Sequence, residues 1–154
     1  MYDQDAQSIV DYIHGARVFG EKKGLDNTRA LLGALGNPQD GRAFVHVAGT
    51  NGKGSTCALL ESCLRACGLK TGLYTSPYLT RYNERVRVNG APITDETLAH
   101  VGARVREAAQ ALEKDGVKPT SFELGTALAL LAFWEADTDI AVIETGIGGR
   151  LDPT

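Results

Sequence analysis

Residues 49 to 56 read Gly-Thr-Asn-Gly-Lys-Gly-Ser-Thr, a mixture of residue types suited to holding phosphate. Gly49, Gly52 and Gly54 permit close backbone approach and unusual φ angles. With Thr50 and Asn51 between them, the backbone N–H groups of the stretch can converge on one anion. Lys53 is placed to reach β- and γ-phosphate oxygens, and either Ser55 or Thr56 can offer a hydroxyl to Mg²⁺. The general phosphate-loop pattern, G-x-x-x-x-G-K-[ST], is broken twice. Val47 stands at its first glycine, and Gly54 follows the lysine, which moves the hydroxyl on to Ser55. The physics of the pattern survives both changes.

A second cluster complements the first. Asp139-Ile-Ala-Val-Ile-Glu144 is an apolar run ending in a carboxylate, followed by Thr145-Gly-Ile-Gly-Gly-Arg150. An unbroken apolar run predicts a central parallel strand. A carboxylate at its carboxyl end lies where a nucleotide-bound Mg²⁺ sits, so Glu144 is a candidate metal ligand, direct or through water. Ser76-Pro-Tyr-Leu79 lies at the end of another predicted strand, on the edge where open α/β sheets bind ligands. Arg81, near that serine, is the arginine expected to meet an anion, whereas Arg85 and Arg87 read as solvated.

The elements needed to position these groups are legible. Phe44, Val45 and Val47 give strand character up to Gly49, and a helix then carries Leu59, Leu60 and Leu64 until Gly68. Lys70 to Thr75 is a second strand, and a strand–helix–strand unit implies parallel pairing. Glu84 to Val88 alternates and turns at Asn89-Gly90, a hairpin signal with Ile93 on the return. Four further helices are expected. One runs from Asp3 to Gly20, with Ala6, Ile9, Val10 and Ile13 inward and His14 beside that stripe. A second is capped by Asn27 and carries Leu31, Leu32 and Leu35. A third is capped by Thr94, and the last runs from Phe122 to Ala136 behind Thr120 or Ser121. That last helix, with Leu124, Leu128, Leu131, Phe133 and Trp134, is apolar nearly all round and should be the most buried. His46 reads as a satisfied core histidine.

Composition bounds the functional classes. A length of 154 residues allows one domain with a real core, and 43% hydrophobic with 6% aromatic residues suits a soluble α/β protein. The net charge of −3 offers no general attraction to nucleic acid or anionic lipid. There is no apolar stretch long enough to span a bilayer, and the acidic start Met1-Tyr-Asp-Gln-Asp-Ala is unlike a leader peptide. Cys57, Cys63 and Cys67 are expected to be buried reduced thiols, which points to the cytosol.

Together, Gly49-Thr-Asn-Gly-Lys-Gly-Ser55, Ser76-Pro-Tyr-Leu79, Tyr82-Asn-Glu-Arg-Val86, Phe122-Glu123 and Glu144-Thr-Gly-Ile-Gly-Gly-Arg-Leu-Asp152 resemble the folylpolyglutamate synthase/dihydrofolate synthase family of the Mur-ligase group. The resemblance implies a phosphate-loop-type three-layer α/β sandwich with a mostly parallel sheet and a small β-hairpin. It implies an ATP-dependent ligase that adds L-glutamate to dihydropteroate or a folate through an acyl phosphate. ATP and Mg²⁺ are the implied cofactors. By position, Gly49 to Ser55 would hold the triphosphate, with Lys53 on the β/γ-phosphates, and Ser76 and Glu144 would bind Mg²⁺. Thr120, Ser121, Phe122 and Glu123 would line the pterin side with Leu151, Asp152 and Pro153, Phe122 stacking. The family commonly has His where Tyr78 stands. It also continues well beyond Thr154, so residues 1–154 are expected to be the N-terminal part of its ATP-binding domain, unable to complete ligation alone. The whole protein is expected to be a cytoplasmic monomer acting on small molecules, with no nucleic acid or membrane partner. Other readings of the same motifs are another Mur-type ligase, a phosphate-loop kinase or NTPase, and a nucleotide-binding module without turnover.

Overall fold

The structure, a computed structural model, describes residues 2–16 and 24–154. In chain order the elements are α1 (Gln4–Gly15), α2 (Asp26–Ala34), β1 (Ala43–Val47), α3 (Lys53–Ala66), β2 (Thr71–Tyr74), a 3₁₀ turn (Tyr82–Arg85), β3 (Val86–Val88), β4 (Ala91–Pro92), α4 (Asp95–Glu113), α5 (Ser121–Glu135) and β5 (Ile140–Glu144). They form an α/β fold around one mixed sheet of order β1-β5-β2-β3-β4. β5 pairs in parallel with both β1 and β2, while β3 and β4 complete the sheet as an antiparallel hairpin. β5 is thus the central parallel strand its apolar run predicts.

Alternation along β5 divides the core in two. Ala141 and Ile143 belong to the larger cluster built by α1, α4 and α5. Val142 faces the other way, with Cys57, Leu73 and half-buried Val45, Val47 and Leu64 under α3. Helix–sheet–helix layering follows. α5 is the most buried helix and begins with a reciprocal cap. Glu123 N–H donates to Thr120 Oγ1 at 3.3 Å, and Thr120 N–H donates to Glu123 Oε2 at 2.7 Å. Thr94 caps α4, its Oγ1 accepting from Thr97 N–H at 3.1 Å. Asn89 and Gly90 both have positive φ, 50° and 79°, which matches the primed turn expected between β3 and β4.

Several expectations are corrected. α1 ends at Gly15, and the rest of its expected extent, with the polar break after it, falls mainly on 17–23, outside the described residues. Asn27 does not cap α2; its side-chain amide donates to Lys118 O at 3.2 Å. The expected strand start at Glu84 is a 3₁₀ turn, because the Glu84 carboxylate accepts backbone N–H groups from Leu79, Thr80 and Arg81.

On α3 the leucines do not all point inward: Leu59 is 70% exposed and Leu60 37%. The helix begins at Lys53, and its path from β1 turns Cys57, Glu61 and Leu64 to the sheet. Glu61 is tolerated there because Thr71 Oγ1 and Arg65 Nε donate to its carboxylate. The same rotation leaves Cys63 and Cys67 exposed and only Cys57 buried. Trp134 is half exposed, one position on from buried Phe133, where α5 turns it away from the core. His46 is exposed because β1 forms the end of the sheet.

Gly72 on β2 is a point where backbone must approach closely. A Cβ there would lie 2.7 Å from the Phe133 ring and 2.9 Å from Ala141 Cβ. Neither neighbour is a flexible side-chain end. Gly72→Ala is expected to lower unfolding free energy by about 1–3 kcal/mol, measured by urea denaturation. An unchanged midpoint would show that α5 can lift off the sheet without cost.

Candidate functional site

β1 delivers the chain out of the sheet at Val47, and the return into α3 is made through Gly52 in the left-handed conformation, φ 77°. That backbone is open to glycine without a Cβ penalty. The helix starts immediately at Lys53, so its first-turn N–H groups and the positive end of its dipole face the loop. An open cleft of about 620 Å³ lies there, lined by Ala48, Gly49, Thr50, Lys53, Gly146, Ile147 and Gly148. Thr56 Oγ1 donates to Gly52 O at 2.9 Å and is engaged with the helix backbone. Ser55 makes no such bond, so of the two hydroxyls it is the one available at the loop.

Glu144 arrives from the other side. The parallel register sets Val47 opposite Glu144, and Thr145 N–H extends it by donating to Val47 O at 3.1 Å. Glu144 is only 6% exposed. Its Oε2 accepts from Ser76 N–H at 3.0 Å, which draws the end of β2 to the same point. Its two oxygens lie 3.4 and 3.6 Å from where a Cβ on Gly54 would be. These are ordinary van der Waals distances, so the carboxylate stands directly against the residue that follows the lysine. Cys57, one turn along α3, feels the same group. Burial and then the Glu144 charge push its thiol up to about 11.

Among the described residues no group of three His, Cys, Asp or Glu could hold a metal by itself. The donors present are one carboxylate, Glu144, with the hydroxyls of Ser55 and Ser76 nearby in the chain fold. Such a sparse oxygen set fits a Mg²⁺ that keeps water and takes phosphate oxygens. It does not fit a structural metal enclosed by protein.

Beyond this centre, Phe122 and Asp152 close on Gly146 from two sides. A Cβ at Gly146 would lie 2.7 Å from Phe122 Cζ and 3.2 Å from Asp152 Oδ2. Phe122 also packs on Tyr74, ring centroids 6.1 Å apart. Thr120 and Glu123 form the α5 cap, and Glu123 further accepts from Thr28 Oγ1 at 3.0 Å. The Glu123 carboxylate therefore organises the start of the helix. Ser121 and Pro153 are half-buried, and Leu151 is exposed.

Arg81 is a correction. Its guanidinium meets Asp95 at 2.7 and 2.8 Å and lies over the Tyr2 ring, so the expected anion is a side chain of the fold itself. Arg85, expected in solvent, lies half-buried over the rings of Tyr78 and Tyr82. The spacing of Tyr78, Tyr82 and Arg85 by four and three residues is the signal that could have found this cluster. At the position where the resemblance leads one to expect histidine, Tyr78 stacks on an imidazole from α1, with His14 Nε2 3.3 Å from Tyr78 Oη.

No family model matches the chain. Curated relatives do. The chain is 46% identical over 154 residues to a probable bifunctional folylpolyglutamate synthase/dihydropteroate synthase of Halobacterium salinarum, covering 99% of the chain and 18% of that protein. It is 44% identical over 153 residues to the dihydrofolate synthase/folylpolyglutamate synthase of Bacillus subtilis, covering 98% of the chain and 35% of that protein. A solved FPGS–AMPPCP–folate complex superposes with a TM-score of 0.92 at 42% identity, over 97% of this chain and 37% of that one. The chain therefore spans between about a fifth and just over a third of the length of the proteins it matches.

The thiols report on this geometry. At pH 8, iodoacetamide is expected to label Cys63 and Cys67 and to spare Cys57, whose deprotonation is deferred to about pH 11, as read by peptide mass spectrometry. Rapid labelling of Cys57 in folded protein would contradict the packing of α3 against Glu144.

Proposed function

Since the chain belongs to the folylpolyglutamate synthase/dihydrofolate synthase family over the segment it spans, we propose that it carries the MgATP site and part of the pterin site of an ATP-dependent ligase. That ligase adds L-glutamate to dihydropteroate or a folate. The observation that carries the reading is the meeting of Glu144, Gly54 and the Ser76 amide beside the glycine-rich turn.

Activation of a carboxylate needs its poor leaving group replaced. Transfer of the γ-phosphoryl group from ATP to a substrate carboxylate gives an acyl phosphate, and attack by the glutamate amine expels phosphate. For the first step this chain supplies positioning and charge. Backbone N–H groups of 49–55 and the start of α3 hold phosphate oxygens, with Lys53 on the β/γ end. Glu144, Ser76 and Ser55 would hold the magnesium, which when bound neutralises charge on the phosphates. Glu144 is held in place by the Ser76 amide and shielded from water by its burial. Phe122 offers a ring for a pterin to stack on, with Asp152, Thr120 and Ser121 around it.

Attack by glutamate is proposed for a protein of the relatives' length, acting in the cytosol as a monomer. Among the described residues no helix is long and apolar enough to cross a membrane. The 154 residues by themselves are proposed to bind without completing ligation.

Calorimetric titration tests this directly. ATP is expected to bind more tightly with Mg²⁺, and pteroate to bind at a second site. Lys53→Ala should weaken MgATP by about ten-fold or more, the value of a hydrogen bond to a charged group. Glu144→Gln should remove the magnesium enhancement while leaving metal-free ATP binding in place. A phosphate-loop kinase would ignore pteroate, and glutamate-dependent phosphate release by these 154 residues would overturn the assignment of the later step.

A further inference from the structure

Two members of a hydrogen-bonded chain beside the cleft, His46 and Thr154, have no part in the reading above. His46, exposed on β1, places Nε2 2.7 Å from Thr154 Oγ1. Thr154 Oγ1 donates to Asp152 Oδ1 at 2.6 Å, and Thr154 N–H donates to the same oxygen at 3.1 Å. Asp152 Oδ2 accepts from Ile147 N–H at 2.8 Å.

Proton counting fixes the direction of the chain. A threonine hydroxyl has one hydrogen, and here it goes to Asp152. Thr154 Oγ1 must then accept from His46, so His46 Nε2 carries a hydrogen. Both the Nε2–H tautomer and the imidazolium meet that condition, and only the Nδ1–H tautomer is excluded.

The two ends of this chain matter. His46 lies on the strand that feeds the glycine-rich loop. Asp152 organises the segment after β5, which gives Gly146, Ile147 and Gly148 to the wall of the cleft and sets Asp152 beside Phe122. Apart from the sheet ladder, whose last rung is Thr145 N–H to Val47 O, the His46–Thr154 contact is the hydrogen bond that ties this segment to β1.

We propose that His46 is a positioning residue. By donating to Thr154 it fixes the 146–154 segment, and with it Asp152, relative to the glycine-rich loop, so that the nucleotide and pterin sides keep one register. The pterin part of this inference rests on the function proposed above; the positioning itself does not.

A double-mutant cycle on the 154-residue protein separates the two. Amide hydrogen exchange is followed at Ile147 and Thr154, with Val142 and Ile143 in β5 as the measure of an intact sheet. His46→Ala should speed exchange at Ile147 about five-fold, one net hydrogen bond, and Thr154→Val, which also removes the hydroxyl bond to Asp152, at least as much, with β5 unchanged. The double variant should be no faster than Thr154→Val alone, since His46 acts only through that hydroxyl. His46→Gln, whose side-chain amide can place an N–H where Nε2 stood, should restore slow exchange, and pteroate affinity should follow the same order. Unchanged exchange in the single variants, or additive effects in the double, would overturn the proposal. Coupled exchange in a protein that fails to bind pteroate would support the positioning role and overturn the substrate reading alone.

Discussion

The register of one parallel strand pair governs this molecule. Val47 and Glu144 face each other at the last rung between β1 and β5, and both strands then leave the sheet on the same edge. A slip of one residue would turn Glu144 to the opposite face and put an isoleucine or threonine in its place beside the glycine-rich turn. The slip is opposed on both faces at once, because Val142 is fixed under α3 while Ala141 and Ile143 are fixed under α5. Hydrophobic packing along β5 therefore decides where a single carboxylate stands.

That carboxylate is buried, and burial of a charge is costly unless it is met by donors. The Ser76 amide supplies one donor, and Gly54 lies directly against the carboxylate. Where the common pattern has a hydroxyl after lysine, this loop sets a glycine beside an acid from a neighbouring strand. The raised thiol of Cys57 is a by-product of the same arrangement.

Much of this was legible in the sequence, for identifiable reasons. The glycine-rich turn, the central strand and the caps at Thr94 and Thr120 are local patterns, written in residues close together in the chain. Glu144 could be placed at the loop because a strand end and a phosphate loop share one edge of an open sheet. What escaped was decided by tertiary partners. Arg81 finds Asp95, Arg85 finds two tyrosines, and His46 finds Thr154 far along the chain. The rotation of α3 was also hidden, since a buried Glu61 is acceptable only once Thr71 and Arg65 are known to meet it. Leucine spacing alone favoured the wrong face.

The position of β5 carries a consequence for assembly. β5 stands between β1 and β2 and follows both in the chain, so β1 and β2 have no mutual pairing to hold them until residues near 140 emerge. Ladders between segments so distant in sequence require large loop closures before they return any stability. During synthesis the hairpin of β3 and β4 can form early from nearby chain. The edges awaiting β5 stay open, which makes the interval before its arrival the stage at which a nascent chain is most exposed to wrong strand pairing.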